Sequence, residues 1–452
     1  MTTLHLEQAL IGEHIVSDVA VTMENGAIVS TAIGVKPGPD AAHVPGLTLP
    51  GLPNLHSHAF QRGMAGLSET RSASDDSFWT WREVMYRFLD KLSPDDVAAI
   101  AAQAYAEMLE TGYTGVCEFH YLHHDVDGGA YGDIAAMASA IAQAAHETGI
   151  GLTLLPVLYR FGGFGAVAPN HGQRRFISDP ETFARLVEAS RKAVSVVPGA
   201  VVGIAPHSLR AVGEADLQLV REMAGTAPIH IHIAEQEKEV ADCLAWSGQR
   251  PVEWLQSHAD LDGQWCLIHA THLTPTERDG IAGSGAIAGL CPVTEASLGD
   301  GIFDGVAYHE RGGVLGVGTD SNIQIGVASE LRQLEYSQRL RDRRRARLAP
   351  VDGSVGLSLY RAALEGGAKA SGRNIGAIAA GQQADLVTLD LDHPALVARK
   401  GAALLDSAIF AAPEMPVREV RVAGRLVVEA GRHVHADVIR QRFGSVMRRV
   451  LG

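Results

Sequence analysis

A repeating unit constrains this chain more than any other feature: short apolar runs of strand character, each followed by a stretch of helical pattern. The runs are Leu52 to His56, Thr114 to Phe119, Gly151 to Leu158, Val201 to Ala205, Pro228 to His232, Trp265 to His269, Ala286 to Leu290 and Val314 to Thr319. Alternation of this kind is the pattern of a parallel sheet covered by helices. Eight units over roughly 320 residues predict an α/β fold, a (β/α)8 barrel of the TIM type, whose functional groups gather at the C-terminal ends of the strands. An open doubly wound sheet would want a glycine-rich phosphate-binding turn after its first strand, and none is present. One helix is legible in detail. Ser93 is a good N-cap, Pro94 suits the first turn, Asp95 and Asp96 favour the positive end of the dipole, and the alanine-rich run closes near Gly112.

The two ends of the chain read differently. Ile15 to Met23 and Ala27 to Ser30 flank the turn Glu24-Asn25-Gly26, while Ala384 to Asp390 and Val417 to Val428 show the same short alternation, with Ala423-Gly424-Arg425 as a tight turn. Neither end can bury a core alone, so the termini are expected to pair into one small β-sandwich domain. The expected boundaries are 1–49 for its first part, 50–378 for the barrel, and 379–452 for its second part with a C-terminal helix. A length of 452 residues is in keeping with one large domain and a satellite.

Polar residues sit where a barrel would use them. In His56-Ser57-His58 an extended backbone points both imidazoles the same way, which makes a metal half-site. His232 and Asp320 end later runs and complete a set of three imidazoles and a carboxylate, suited to one Zn²⁺ with a position open for water. By pattern alone His230 rivals His232, and its structural alternative is a buried layer residue of the barrel. Glu235, three residues after His232, is placed to carry a proton between the attacking water and a leaving nitrogen. Its bland alternative is a helix N-terminal glutamate. His269 ends its run and could orient the nucleophile and the developing oxyanion.

Composition narrows the partners. A net charge of −14 weighs against nucleic acid and anionic membranes, and the arginine-rich segment 339–347 reads as a solvated helix face. The four cysteines, widely spaced and without a C-x-x-C, indicate buried reduced thiols. No secretory leader or membrane-length apolar run is evident, so a cytoplasmic enzyme for a small molecule is expected, with a homodimer as the commonest default.

In their order on eight strand units, His56-Ser57-His58, His232-Ile233-Ala234-Glu235, His269 and Thr319-Asp320-Ser321 resemble the amidohydrolase superfamily, in its mononuclear-zinc deaminase branch. The binuclear branch would need a bridging lysine or glutamate near the end of the fourth strand, where this chain has Ala205-Pro206-His207-Ser208. More narrowly, the chain resembles the formimidoylglutamate deiminases of histidine degradation. That likeness rests on Asn54 to Arg62, Phe78-Trp79-Thr80-Trp81-Arg82, Glu118 to His124, Ala205 to Arg210 and Leu290 to Gly301. It implies that Gln61, Arg82, Tyr121, His207 and Arg210 bind substrate, and that Glu235, His269 and Asp320 carry the chemistry.

A substrate with two carboxylates suits the planar forks of two arginines. Deaminases of guanine, cytosine or an adenosine derivative are the nearest alternative. They would favour aromatic stacking, and aromatics are only 6% of this chain. A triazine-type hydrolase and a catalytically silent binding barrel are more distant readings.

Overall fold

The computed structural model describes residues 1–71 and 77–452. Strands β1 (Thr2–Ile11), β2 (His14–Glu24), β3 (Ala27–Ile33) and β4 (Ala42–Pro50) come first. Next are β5 (Leu52–Ser57), β6 (Tyr113–His120), β7 (Gly151–Leu158), β8 (Val201–Val202), β9 (Ala205–Pro206), β10 (Ile229–Ile233), β11 (Trp265–His269), β12 (Ile287–Leu290) and β13 (Val314–Val317). Last are β14 (Leu386–Leu389), β15 (Val417–Val422), β16 (Arg425–Glu429) and β17 (Arg432–His433).

The two ends of the chain do pair. They form one 8-stranded sheet in the order β17-β16-β15-β14-β4-β1-β2-β3, joined across the antiparallel pair β4–β14 with Leu49 opposite Val387. Its hairpin turns are those the sequence marks: Asn25-Gly26 (φ 51° and 83°) and Ala423-Gly424 (φ 47° and 74°) take the left-handed conformations that tight hairpins need. Leu6, Val19, Val21, Ile28 and Leu386 give this sheet a core cluster of its own.

All eight apolar runs carry parallel strands, hydrogen-bonded as a 5-stranded sheet (β5-β6-β7-β8, with β9 on β7) and a 4-stranded sheet (β10-β11-β12-β13). The fourth run is the irregular one. Gly203 and Ile204 separate β8 from β9, and a Cβ at Gly203 would come 2.5 Å from the carbonyl oxygen of Pro228. Between the two sheets the contacts are single bridges, Ile204–Ile229 and Ser208–His232 on one side and Ser57–Asp320 on the other. A buried ion pair, Arg373 to Asp385 at 3.2 Å, ties this part of the molecule to the terminal sheet.

Helix α1 (Phe78–Leu89) starts at Ser77, whose side chain accepts from the Trp79 amide. Helix α2 (Pro94–Glu110) starts at Ser93 in a capping box with Asp96, as the sequence predicts. Ile100, Ala101, Ala102, Ala104 and Met108 are fully buried, because the C-terminal helix (Ala436–Leu451) covers the outer side of α2. Arg449 of that helix pairs with Asp96. Among the described residues no helix is long and apolar enough to cross a membrane, and the four cysteines are buried and unpaired.

Candidate active site

β5 ends in His56-Ser57, and with His58 directly after it the two imidazoles meet edge to face, 4.7 Å between ring centres. His232 on β10 brings its Nε2 to 3.0 Å from Nε2 of His56. Asp320, just beyond β13, places Oδ1 3.4 Å from His56 Nε2 and 3.2 Å from His58 Nε2. The four groups are buried and their ligand atoms lie within 4.8 Å of one another.

The ring orientations are fixed from behind. His58 Nδ1–H donates to the Phe119 carbonyl at 2.9 Å and His232 Nδ1–H donates to the His207 carbonyl at 3.1 Å. Each Nε2 is thereby turned toward the centre, the usual arrangement behind a metal-bound imidazole. Desolvation lowers His56 to about 3 and holds His232 well below the usual histidine range. Burial alone would raise Asp320, but the His56 and His58 rings beside it hold it well below the usual carboxylate range. Ring nitrogens of His56, His58 and His232 and a carboxylate oxygen of Asp320 converge on one point. A divalent cation fits that donor set.

The rival His230 lies elsewhere: its Nε2 donates to the Ala370 carbonyl at 2.9 Å. The other histidines of the segment after β6 also serve packing, with His123 and His124 donating to the carbonyls of Val157 and Ile177.

Beside the quartet, His269 Nε2 is 3.8 Å from Glu235 Oε1 and 3.9 Å from Asp320 Oδ2, and its Nδ1 is 3.3 Å from Glu295 Oε1. Burial would lower this histidine, yet the carboxylates of Glu235, Glu295 and Asp320 lift it to about 10. Desolvation raises Glu235, with His269 and Arg210 opposing that shift, and Arg210 Nη2 stands 3.8 Å from Glu235 Oε2.

A pocket opens over these groups, and His58, Gln61, Arg82, Tyr121, His207, Arg210, His232, Glu235, His269 and Asp320 all line it. Gln61 Nε2 donates to Tyr121 Oη at 2.9 Å. The guanidinium of Arg82, from α1, lies 4.7 Å from the Trp79 ring centre, and that of Arg210 lies 5.7 Å from Phe78. The Nε of each arginine is buried and has no hydrogen-bond partner among the described residues.

Sequence reasoning missed much of the wall: Phe78, Trp81, Tyr86, Tyr159 and Phe176 line the same cavity. A low overall aromatic share therefore misjudged this pocket, because the few aromatic residues are concentrated in it. The repeated Phe and Trp of Phe78-Trp79-Thr80-Trp81, ahead of Arg82, were the available signal.

Comparison with known proteins agrees with this geometry. The Amidohydrolase family profile matches residues 47–427. The chain is 47% identical over 453 residues to the formimidoylglutamate deiminase of Pseudomonas aeruginosa, covering 100% of both chains. It superimposes on a crystal structure of an amidohydrolase from Brucella melitensis with a TM-score of 0.96 and 49% identity, again over 100% of both. An adenosine deaminase from Xanthomonas campestris with bound zinc shares the fold, at a TM-score of 0.81 and 24% identity over 100% of this chain and 98% of that one. With a profile spanning most of its length and a relative matched from end to end, the chain belongs to the amidohydrolase family and, within it, to the family of the formimidoylglutamate deiminases.

Proposed function

We propose that the chain hydrolyses N-formimidoyl-L-glutamate to N-formyl-L-glutamate and ammonia, as a step of histidine degradation, with one zinc ion per subunit held by His56, His58, His232 and Asp320. The observation that carries this reading is that two arginines and the metal-ligand quartet open into one cavity. Bound by these four side chains, zinc would lower the pKa of water to about 7 and so supply a nucleophile at neutral pH.

The side chains do the rest. Asp320 has Oδ1 among the imidazoles and Oδ2 toward His269, so one oxygen serves as ligand and the other takes the proton of the attacking water. His269, held as imidazolium by the carboxylates around it, orients the attacking oxygen through Nε2–H. Water adds to the formimidoyl carbon, the C–N bond to the terminal nitrogen breaks, and Glu235 hands that nitrogen the proton it needs to leave as ammonia. Arg82 and Arg210 clamp the glutamate carboxylates. Gln61, Tyr121 and His207 complete the wall, and binding far from the reacting carbon is used for positioning.

The same reading closes the two parallel sheets into a (β/α)8 barrel over 50–378 through the single bridges at their edges. Residues 1–49 and 379–452 then form the small β-sandwich around its separate apolar cluster. The enzyme acts in the cytoplasm, in keeping with its free buried thiols, and as a homodimer.

An aromatic pocket lining favours one second reading, a deaminase of a nucleobase or nucleoside. Ammonia release from N-formimidoyl-L-glutamate by the zinc-loaded protein, beside guanine, cytosine and adenosine, separates the two. Turnover of the first alone, largely lost in Arg210→Ala, is the expected result. Turnover of a base instead overturns the arginine argument while keeping the metal site.

A further inference from the structure

β12 supplies no ligand and no proton carrier, yet the short helix that follows it (Pro292–Leu298) sends a carboxylate to the back of His269. Glu295 is 6% exposed, and its Oε1 accepts from the Cys291 amide at 2.8 Å while facing His269 Nδ1 at 3.3 Å. The helix is itself fastened to the site. Thr294 Oγ1 donates to the Thr319 carbonyl at 3.2 Å and lies 2.9 Å from Ser321 Oγ, on either side of Asp320.

His269, the last residue of β11, and Ala270 both take left-handed conformations (φ 70° and 47°), so the extended pleat breaks at His269 and does not by itself fix the direction of the side chain.

We propose that Glu295 is a positioning residue: it accepts a hydrogen bond from His269 Nδ1–H and so holds the ring with Nε2 turned to Glu235 and Asp320. A carboxylate accepting from Nδ1–H fixes the rotation of the ring. The effect on turnover rests on the hydrolytic reading above. The effect on the ring does not.

The test is made on zinc-loaded protein carrying ¹⁵N-labelled histidine, with His269→Asn identifying the His269 signals. The wild type is expected to show a hydrogen-bonded Nδ1–H signal. Glu295→Ala is expected to lose that hydrogen-bonded signal and to lower kcat about 10²-fold, with KM and zinc content little changed. Glu295→Gln keeps an acceptor oxygen and the shape of the side chain, so it retains the hydrogen bond from Nδ1–H, loses less kcat and guards against a folding defect in the alanine variant. Unchanged ring signals in Glu295→Ala, or a kcat equal to wild type in both variants, would overturn the proposal. A wild type that releases no ammonia from N-formimidoyl-L-glutamate refutes the substrate reading alone, since the ring signals still decide the role of Glu295.

Discussion

The floor of the pocket and its wall are built by different means. On the floor, His56, His58, His232, His269 and Asp320 stand at the ends of hydrogen-bonded strands, and several backbone turns there are left-handed without glycine: Ala234 (φ 51°), His269 (70°), Asp320 (44°) and Asn322 (53°). Such conformations cost on the order of 1–3 kcal/mol each and persist only where the surroundings enforce them. A buried amide network does so here. Asn54 accepts from the Thr319 amide at 3.0 Å, Thr319 Oγ1 donates to Asn322 Oδ1 at 2.6 Å, and Asn322 Nδ2 reaches Ser57 Oγ, the His58 carbonyl and the Asp320 carbonyl at 3.1–3.2 Å. On the wall, by contrast, Arg82 and Arg210 are seated on aromatic faces, with part of each guanidinium unpartnered. The floor is fixed by a hydrogen-bond network; the wall is held by softer contacts and keeps hydrogen-bonding capacity to spare.

If that contrast is right, the largest effects belong to the floor. Asp320→Asn removes a ligand and the proton acceptor together, and kcat for ammonia release should fall by about 10⁴-fold or more. Elemental analysis of the same sample should show zinc depleted. A loss under tenfold would move the chemistry away from this carboxylate and dissolve the distinction between floor and wall.

The wall comes next. Arg210→Ala should lower kcat/KM for the dianionic substrate by about 10²-fold, the scale of a charged hydrogen bond lost from a desolvated site. An analogue lacking one carboxylate should be less affected if that carboxylate is the group Arg210 holds. Arg82→Lys should lose nearly as much binding as Arg82→Ala, because an ammonium offers neither the planar fork nor the stacking on Trp79. Equal losses with both substrates would mean that Arg210 acts on the floor, through Glu235 at 3.8 Å.

A smaller effect tests how the floor is kept in place. Asn322→Ala cuts the clamp between the turns that carry His58 and Asp320, and zinc affinity, measured by competition with a chelator, should weaken about tenfold. Substrate KM should change little once zinc is saturating. Undiminished affinity would mean that the strand ladders alone hold these turns.

This contrast also explains what could be read from the chain. Strand periodicity and the alternation of His56 and His58 are local signals, and they led to the metal quartet. Choosing between His230 and His232 was beyond them, because both alternate correctly and only the contact with Ala370 separates the two. Glu295 and Asn322 were invisible for another reason: each acts on a residue more than 20 positions away through a loop whose course no period describes. Wall residues such as Tyr159 and Phe176 come from the segment after β7, where aromatic side chains look like any other packing. The arginines of the wall were named from family likeness, and the structure places both in the lining of the pocket.

The smallest expected effect is the sharpest test of where the floor ends. Tyr121 lines the cavity and its ring lies 4.9 Å from that of His58, and its hydroxyl accepts from Gln61 and donates to Met85 Sδ at 3.2 Å. Tyr121→Phe keeps the ring and leaves Gln61 Nε2 to find a partner in the substrate or in water. A net hydrogen bond of about 1 kcal/mol corresponds to a roughly fivefold rise in KM, with kcat unchanged. Should kcat fall 10²-fold instead, the hydroxyl would be acting on the transition state. The boundary of the floor would then shift to include the segment after β6, and Gln61 would move with it as the group that holds that hydroxyl in place.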